Sequence, residues 1–232
     1  MSESLQNTRK VNCKKLIVSF SVIGILFALF SQVFFTLDYI IDAADYINIQ
    51  ILMYMTTDLL HAFFIVLTSA LLLLYVLFLY KKFNAKIILA ISFLLLSYPI
   101  LTSALNNIID LLFEGDFEFE YLISDFAFDV LPYLLLWLAA ILVLFGVKNK
   151  IVYVVALVLS AFPNVYYFMS WVSDISDFCS RIFDDYEEVF EELFDSWCYY
   201  LFSPIWYIGS IMVTVSVIVF IVSNNDLISK KS

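Results

Sequence analysis

Six stretches of this chain run for 18 or more residues without a charged side chain. A helix rises 1.5 Å per residue, so about 20 apolar residues cross the roughly 30 Å hydrocarbon core of a bilayer. The 63% apolar composition also exceeds the roughly 45–50% of soluble domains. We therefore predict an all-α, polytopic membrane protein with six transmembrane helices. The predicted spans are Leu16–Leu37, Ala62–Tyr80, Ile87–Ala104, Val130–Val147, Ile151–Trp171 and Leu201–Val222.

The segments between these spans are too short for a separate soluble domain. We predict one integral membrane domain at residues 16–223, a basic cytoplasmic N-terminus at 1–15 and a short cytoplasmic C-terminus at 224–232. A basic start followed by an apolar run is also typical of a signal peptide. This run exceeds the usual 7–15 residues of the apolar core of a signal peptide and no Ala-x-Ala site follows it, so an uncleaved first span is expected.

Basic residues set the predicted orientation, because Lys and Arg near span ends favour the cytoplasmic side. With six spans, eleven of the twelve Lys and Arg residues fall on one side, and only Arg181 falls on the other. The pattern predicts three helical hairpins with both termini cytoplasmic, in the plasma membrane of a bacterium. The eleven are Arg9, Lys10, Lys14, Lys15, Lys81, Lys82, Lys86, Lys148, Lys150, Lys230 and Lys231.

The same layout places twenty of the 22 acidic residues on the outer side. Such a face repels phosphate, so nucleic acid is not expected as a partner. Besides the lipid bilayer, the partners it favours are cations, a cationic peptide or another membrane subunit with a basic surface. A merely solvated surface is the plain alternative.

An acidic amphipathic helix is predicted on the outer side, after the fifth span. Charged residues from Asp174 to Asp195 step by three and four, and apolar residues such as Ile175 and Phe178 share the opposite face. Like charges at i,i+4 repel, and a bound cation would relieve that repulsion. The predicted cation cluster is Asp184, Glu187, Glu188, Glu191, Glu192 and Asp195, with an ordinary solvated stripe as the alternative.

Two cysteines, Cys179 and Cys198, also fall on the outer side, where an oxidising space would permit a disulfide. In one unbroken helix they would be about 28 Å apart, whereas bridged residues have Cα atoms within about 7 Å. A bridge between them therefore requires a break in the helix.

The third and fifth predicted spans each contain a proline. Lys86–Pro99 and Lys150–Pro163 share a pattern of Lys-Ile, an uncharged stretch and an aromatic-Pro pair, which suggests a duplicated unit. Pro99 and Pro163 are predicted to kink their helices, and backbone freed there, with Asn106, Asn107 and Asn164, is a candidate ion site. With only four glycines, the helix interfaces are expected to use Ala, Ser and large side chains.

Little in the sequence indicates catalysis. The predicted spans contain no ionisable residue, no nucleotide or hydrolase motif is present, and no cofactor is expected. The single histidine, His61, lies three residues after Asp58, a spacing that suits a general base or a metal pair but equally an interfacial polar residue.

Three functions follow from these patterns. The preferred one is a non-enzymatic membrane protein whose acidic face contacts a cation, a basic peptide or a partner protein. The second is a small transporter, or the substrate-binding subunit of one, with a site near Pro99 and Pro163. The third is a membrane enzyme that uses His61 and the outer acids.

Overall fold

The computed structural model of the protein describes residues 3–45, 49–79, 83–113, 130–181 and 197–224. Within these ranges the prediction of an all-α protein is confirmed. The helices are α1 (Glu3–Asp45), α2 (Ile49–Leu74, continued by a π-helical turn at Tyr75–Leu79), α3 (Ala85–Leu96), α4 (Pro99–Phe113), α5 (Leu131–Leu144), α6 (Lys150–Arg181) and α7 (Trp197–Ser223).

Five segments in the described ranges are long and apolar enough to cross a membrane, and α5 is a sixth, shorter apolar helix. The five are Val11–Ile41, Ile51–Leu79, Ala85–Ile109, Lys150–Arg181 and Tyr199–Ser223. With 14 residues, α5 is about 21 Å long. The set is compatible with a polytopic membrane protein, as predicted.

The second helix is longer than the predicted second span. That span starts at Ala62, whereas α2 starts at Ile49, so Asp58 and His61 both lie inside a long apolar helix. At 29 residues this apolar segment exceeds the about 20 that cross a bilayer, so the absence of ionisable residues from the span stays a prediction. The apolar residues Ile51, Leu52 and Met53 allow the helix to begin three turns earlier.

The helices pack as a ring in chain order. α1 packs on α2, α2 on α3 and α4, α3 on α5, α5 on α6, and α6 on α7. The ring is closed by α7, which packs most extensively on α1. The interior of the ring is therefore lined by helices that are far apart in sequence.

Specific contacts show that α1 and α2, and likewise α6 and α7, run in opposite directions. The Tyr39 hydroxyl, late in α1, donates to Asp58 Oδ2, early in α2, at 2.8 Å. Lys150 Nζ, at the start of α6, donates to the carbonyl of Val222, at the end of α7, at 3.1 Å. We call the end of the bundle near Asp58 the acidic end and the end near Lys150 the basic end.

The α1–α7 interface depends on glycine. A Cβ atom added at Gly24 would lie 2.4 Å from Val213 Cγ2, and one added at Gly209 would lie 3.0 Å from Phe27 Cβ. Beside them, the hydroxyls of Ser21 and Ser216 are 2.8 Å apart. The expectation that interfaces would not use glycine was therefore wrong here, since two of the four glycines allow this close crossing.

Toward the basic end the bundle is packed with apolar side chains, among them the fully buried Phe93, Leu136 and Leu157. A short turn joins α5 to α6 there. Gly146 adopts a φ of +79°, which glycine tolerates, and Val147 N donates to the Leu142 carbonyl at 3.0 Å. This Schellman cap ends α5 sharply and lets α6 turn back along it.

Candidate functional site

A break in the third span positions the site. α3 ends at Leu96 and α4 begins at Pro99, because proline has no N–H to continue the helix and is favoured at the first position of the next one. The Ser97 hydroxyl satisfies the Leu94 carbonyl at 2.7 Å, and Trp137 Nε1 of α5 donates to Ser97 Oγ at 2.5 Å. By contrast, α6 runs through Pro163 as one helix.

Tyr98, inside this break, is buried within the ring. Its hydroxyl is hydrogen-bonded to His61 Nε2 of α2, and Ser210 of α7 provides a further side-chain hydrogen bond. The His61 ring lies 4.3 Å from the Tyr98 ring and 4.0 Å from the Trp206 ring, measured between centroids. His61, Tyr98 and Trp206 thus form an aromatic layer across the interior.

A cavity of about 230 Å³ adjoins this layer. Five helices, α2, α4, α5, α6 and α7, contribute to its wall. The lining residues are His61, Pro99, Thr102, Ser103, Asn106, Tyr133, Pro163, Asn164, Tyr167, Trp206 and Tyr207. The wall is polar and aromatic, and it contains no Asp, Glu, Lys or Arg among the described residues.

One lining atom stands out. The Oδ1 atom of Asn106 is buried and has no hydrogen-bond partner. The neighbouring hydroxyl of Thr102 is occupied, since it donates to the Pro99 carbonyl at 3.2 Å. Because the Asn106 amide belongs to the wall, a rotation of this side chain would present its unpaired oxygen to a molecule with an N–H or O–H donor.

Aromatic side chains supply much of the remaining wall. Tyr167 of α6 and Tyr207 of α7 stack with their ring centroids 6.0 Å apart. Trp206 of α7 contacts the His61 ring of α2. Aromatic rings combine apolar faces with hydroxyl or indole groups at their edges. Such a wall suits a small ligand that has both a flat or apolar part and a hydrogen-bonding group.

The sequence analysis named several residues that line this cavity. They are Pro99, Pro163, Asn106 and Asn164, whereas Asn107, named with them, does not line it. The hydroxyls of α4 and the tyrosines were missed. A signal for the first was available: Pro99, Thr102, Ser103 and Asn106 recur at helical spacing and form one polar stripe on an apolar helix.

His61 and Asp58 have different partners. Asp58 accepts from Tyr39, whereas His61 is bonded to Tyr98. In the part of the chain that the structure describes, no group of three or more His, Cys, Asp or Glu residues is placed to hold a metal ion. Among the described residues, His61 is thus held by Tyr98 and not by Asp58.

The predicted cation cluster, Asp184 to Asp195, lies outside the described residues. The part of the acidic segment that is described continues α6: Phe178 is buried against Tyr200 of α7, with rings 5.3 Å apart, and Asp174 accepts from the Tyr199 hydroxyl at 2.6 Å. Cys179 is an exposed free thiol. The side chain of Cys198 is not among those described, so their disulfide stays a prediction.

Comparison with protein-family profiles, curated proteins and solved structures finds no match for this chain. The class of protein is therefore defined by fold and site alone. It is an all-helical protein with several membrane-length apolar helices and a polar, aromatic cavity between them.

Proposed function

We propose that this protein binds a small polar solute in the interior cavity, as a small membrane transporter or as the substrate-binding subunit of one. The observation that carries the proposal is the polar, aromatic cavity between five helices, whose wall includes Asn106 with its buried Oδ1 atom that has no hydrogen-bond partner.

A buried acceptor without a partner costs about 1–3 kcal/mol. An isosteric apolar residue at position 106 would avoid that cost, so the amide is poorly explained by folding alone. A solute that donates a hydrogen bond to Asn106 Oδ1 would recover the cost on binding. Buried polar groups in apolar helices commonly mark solute pathways for this reason.

The size of the cavity supports a small solute. Its volume of about 230 Å³ corresponds to roughly eight water molecules at about 30 Å³ each. Sites between transmembrane helices near helix breaks are typical of transporters, because freed backbone and polar side chains are tolerated where they line a cavity.

The preferred hypothesis from the sequence, contact of the acidic face with a cation, a peptide or a partner protein, depends largely on residues outside the described ranges and stays a prediction. An enzyme at His61 is not favoured, because Asp58 and His61 are bonded to separate tyrosines. Location in a bacterial plasma membrane with both termini cytoplasmic is part of the proposal, and the orientation is supported by the basic clusters.

The test is a thermal-shift screen of the purified protein in detergent against small polar solutes, followed by two variants. Asn106→Leu should abolish the stabilisation by a binding solute. It should also leave the solute-free protein as stable as the wild type or about 1 kcal/mol more stable, because the unpaired acceptor is gone.

Asn107→Leu is the matched control, since Asn107 is adjacent but does not line the cavity; it should keep solute binding. Uptake by proteoliposomes then separates a transporter from a binding subunit. If Asn106→Leu lowers stability like a structural residue and solutes still bind, the proposal is wrong.

A further inference from the structure

We infer that the cavity selects small primary ammonium cations that carry an aromatic or apolar group. This inference rests on the proposed function and names the solute class of the same site. Three features of the described residues support it: the aromatic wall, the unpaired acceptor and the distribution of charge.

The aromatic wall favours a cation. Tyr133, Tyr167, Trp206 and Tyr207 present ring systems from three helices. The face of such a ring carries partial negative charge and attracts an ammonium group within about 6 Å, most strongly where water is excluded. An anion at the same place would find no Lys or Arg partner among the described lining residues.

The charged residue near the cavity also favours a cationic solute. Asp58 lies one helical turn before His61 on α2, half-buried, and its described partner is the neutral hydroxyl of Tyr39. No lining residue of the described cavity is cationic, so the local field attracts a positive solute.

The unpaired Asn106 oxygen favours a primary over a quaternary ammonium group. Asn106 Oδ1 needs an N–H or O–H donor, which a primary ammonium provides and a quaternary ammonium lacks. Benzylammonium has about eight non-hydrogen atoms, which fits a space of roughly eight water volumes. Its ring suits the tyrosine and tryptophan faces.

The experiment compares benzylammonium, benzyl alcohol, benzyltrimethylammonium and benzoate by calorimetry with the purified protein. Benzylammonium should bind at least about tenfold more tightly than the alcohol or the quaternary compound, and its affinity should fall as salt is raised. Benzoate should not bind. Equal binding of alcohol and ammonium, or stronger binding of benzoate, would overturn the inference about class.

Asp58→Asn tests the electrostatic part. The amide oxygen can still accept from Tyr39, so the fold is kept while one charge is removed. A unit charge near 10 Å at an effective dielectric of about 20 corresponds to roughly tenfold in affinity. The variant should lose about that factor for benzylammonium and keep its affinity for benzyl alcohol.

Asp174→Asn is the matched control, because Asp174 also accepts from a tyrosine hydroxyl but lies two turns beyond the cavity wall. It should change benzylammonium binding less than about twofold at physiological salt.

The outcomes distinguish the proposed solute class from the proposed binding function. If the alcohol binds through Asn106 and the cation has no advantage, the solute class is wrong and the binding function stands. If none of the four binds and Asn106→Leu alters nothing, both are wrong.

Discussion

At the scale of single residues, Gly24 sets how closely the first and last helices approach. Alanine there would place its methyl group 2.4 Å from Val213 Cγ2, and relieving such a clash requires the helices to separate. We expect Gly24→Ala to destabilise the protein by about 1–3 kcal/mol, measured by thermal unfolding in detergent.

A second substitution provides the control for this prediction. Val213→Ala removes the clashing methyl group, so the double variant Gly24→Ala with Val213→Ala should be more stable than the sum of the two single effects implies. Additive effects would show that Gly24 does not act through this contact.

At the scale of helices, the break between α3 and α4 positions Tyr98 against His61 and leaves the polar stripe of α4 facing the cavity. Alanine in place of Pro99 would restore an N–H and allow α3 to continue into α4. Tyr98 would then turn away from His61. We expect Pro99→Ala to weaken solute binding and to lower stability by about 1 kcal/mol through the lost hydrogen bond.

Pro163→Ala is the corresponding change in a helix that is already continuous. The substitution restores a backbone hydrogen bond and leaves the direction of α6 unchanged. Stability should therefore stay the same or rise, and solute binding should be retained. Melting temperatures with and without the bound solute measure both variants. Equal loss of binding in the two would mean that the prolines act only by lining the cavity.

The indole of Trp137, on the neighbouring helix α5, is hydrogen-bonded to Ser97 at the break between α3 and α4. Trp137→Phe keeps an aromatic ring but removes the 2.5 Å hydrogen bond to Ser97 Oγ. The expected cost is about 1 kcal/mol of stability, seen as a lower melting temperature. The double variant Trp137→Phe with Ser97→Ala should cost little more, since the two groups serve one interaction.

At the scale of the whole molecule, the predicted orientation can be tested with the natural thiols. Cys13 lies near the basic start of α1, and Cys179 is exposed near the end of α6. In intact cells that express the chain with Cys198→Ser, a membrane-impermeant maleimide should label Cys179 and leave Cys13 unlabelled. Labelling of both from the same side would contradict the alternating layout.

Composition and the spacing of apolar residues by themselves determined that this chain is helical and suited to a membrane, because a bilayer admits only segments whose backbone polar groups are satisfied internally. The polar positions Asn106 and Asn164 and the proline at the helix break were also visible, since a polar residue or a proline is conspicuous in an apolar run.

Only the tertiary structure decided which residues face one another. The closure of α7 on α1 through Gly24 and Gly209, and the meeting of His61, Tyr98 and Trp206, join positions far apart in sequence. The polar stripe of α4 could be read from the sequence, but the other helices are apolar on most faces, so their sequences do not distinguish the tyrosines that line the cavity. Those positions are fixed by the packing order of the helices around the ring.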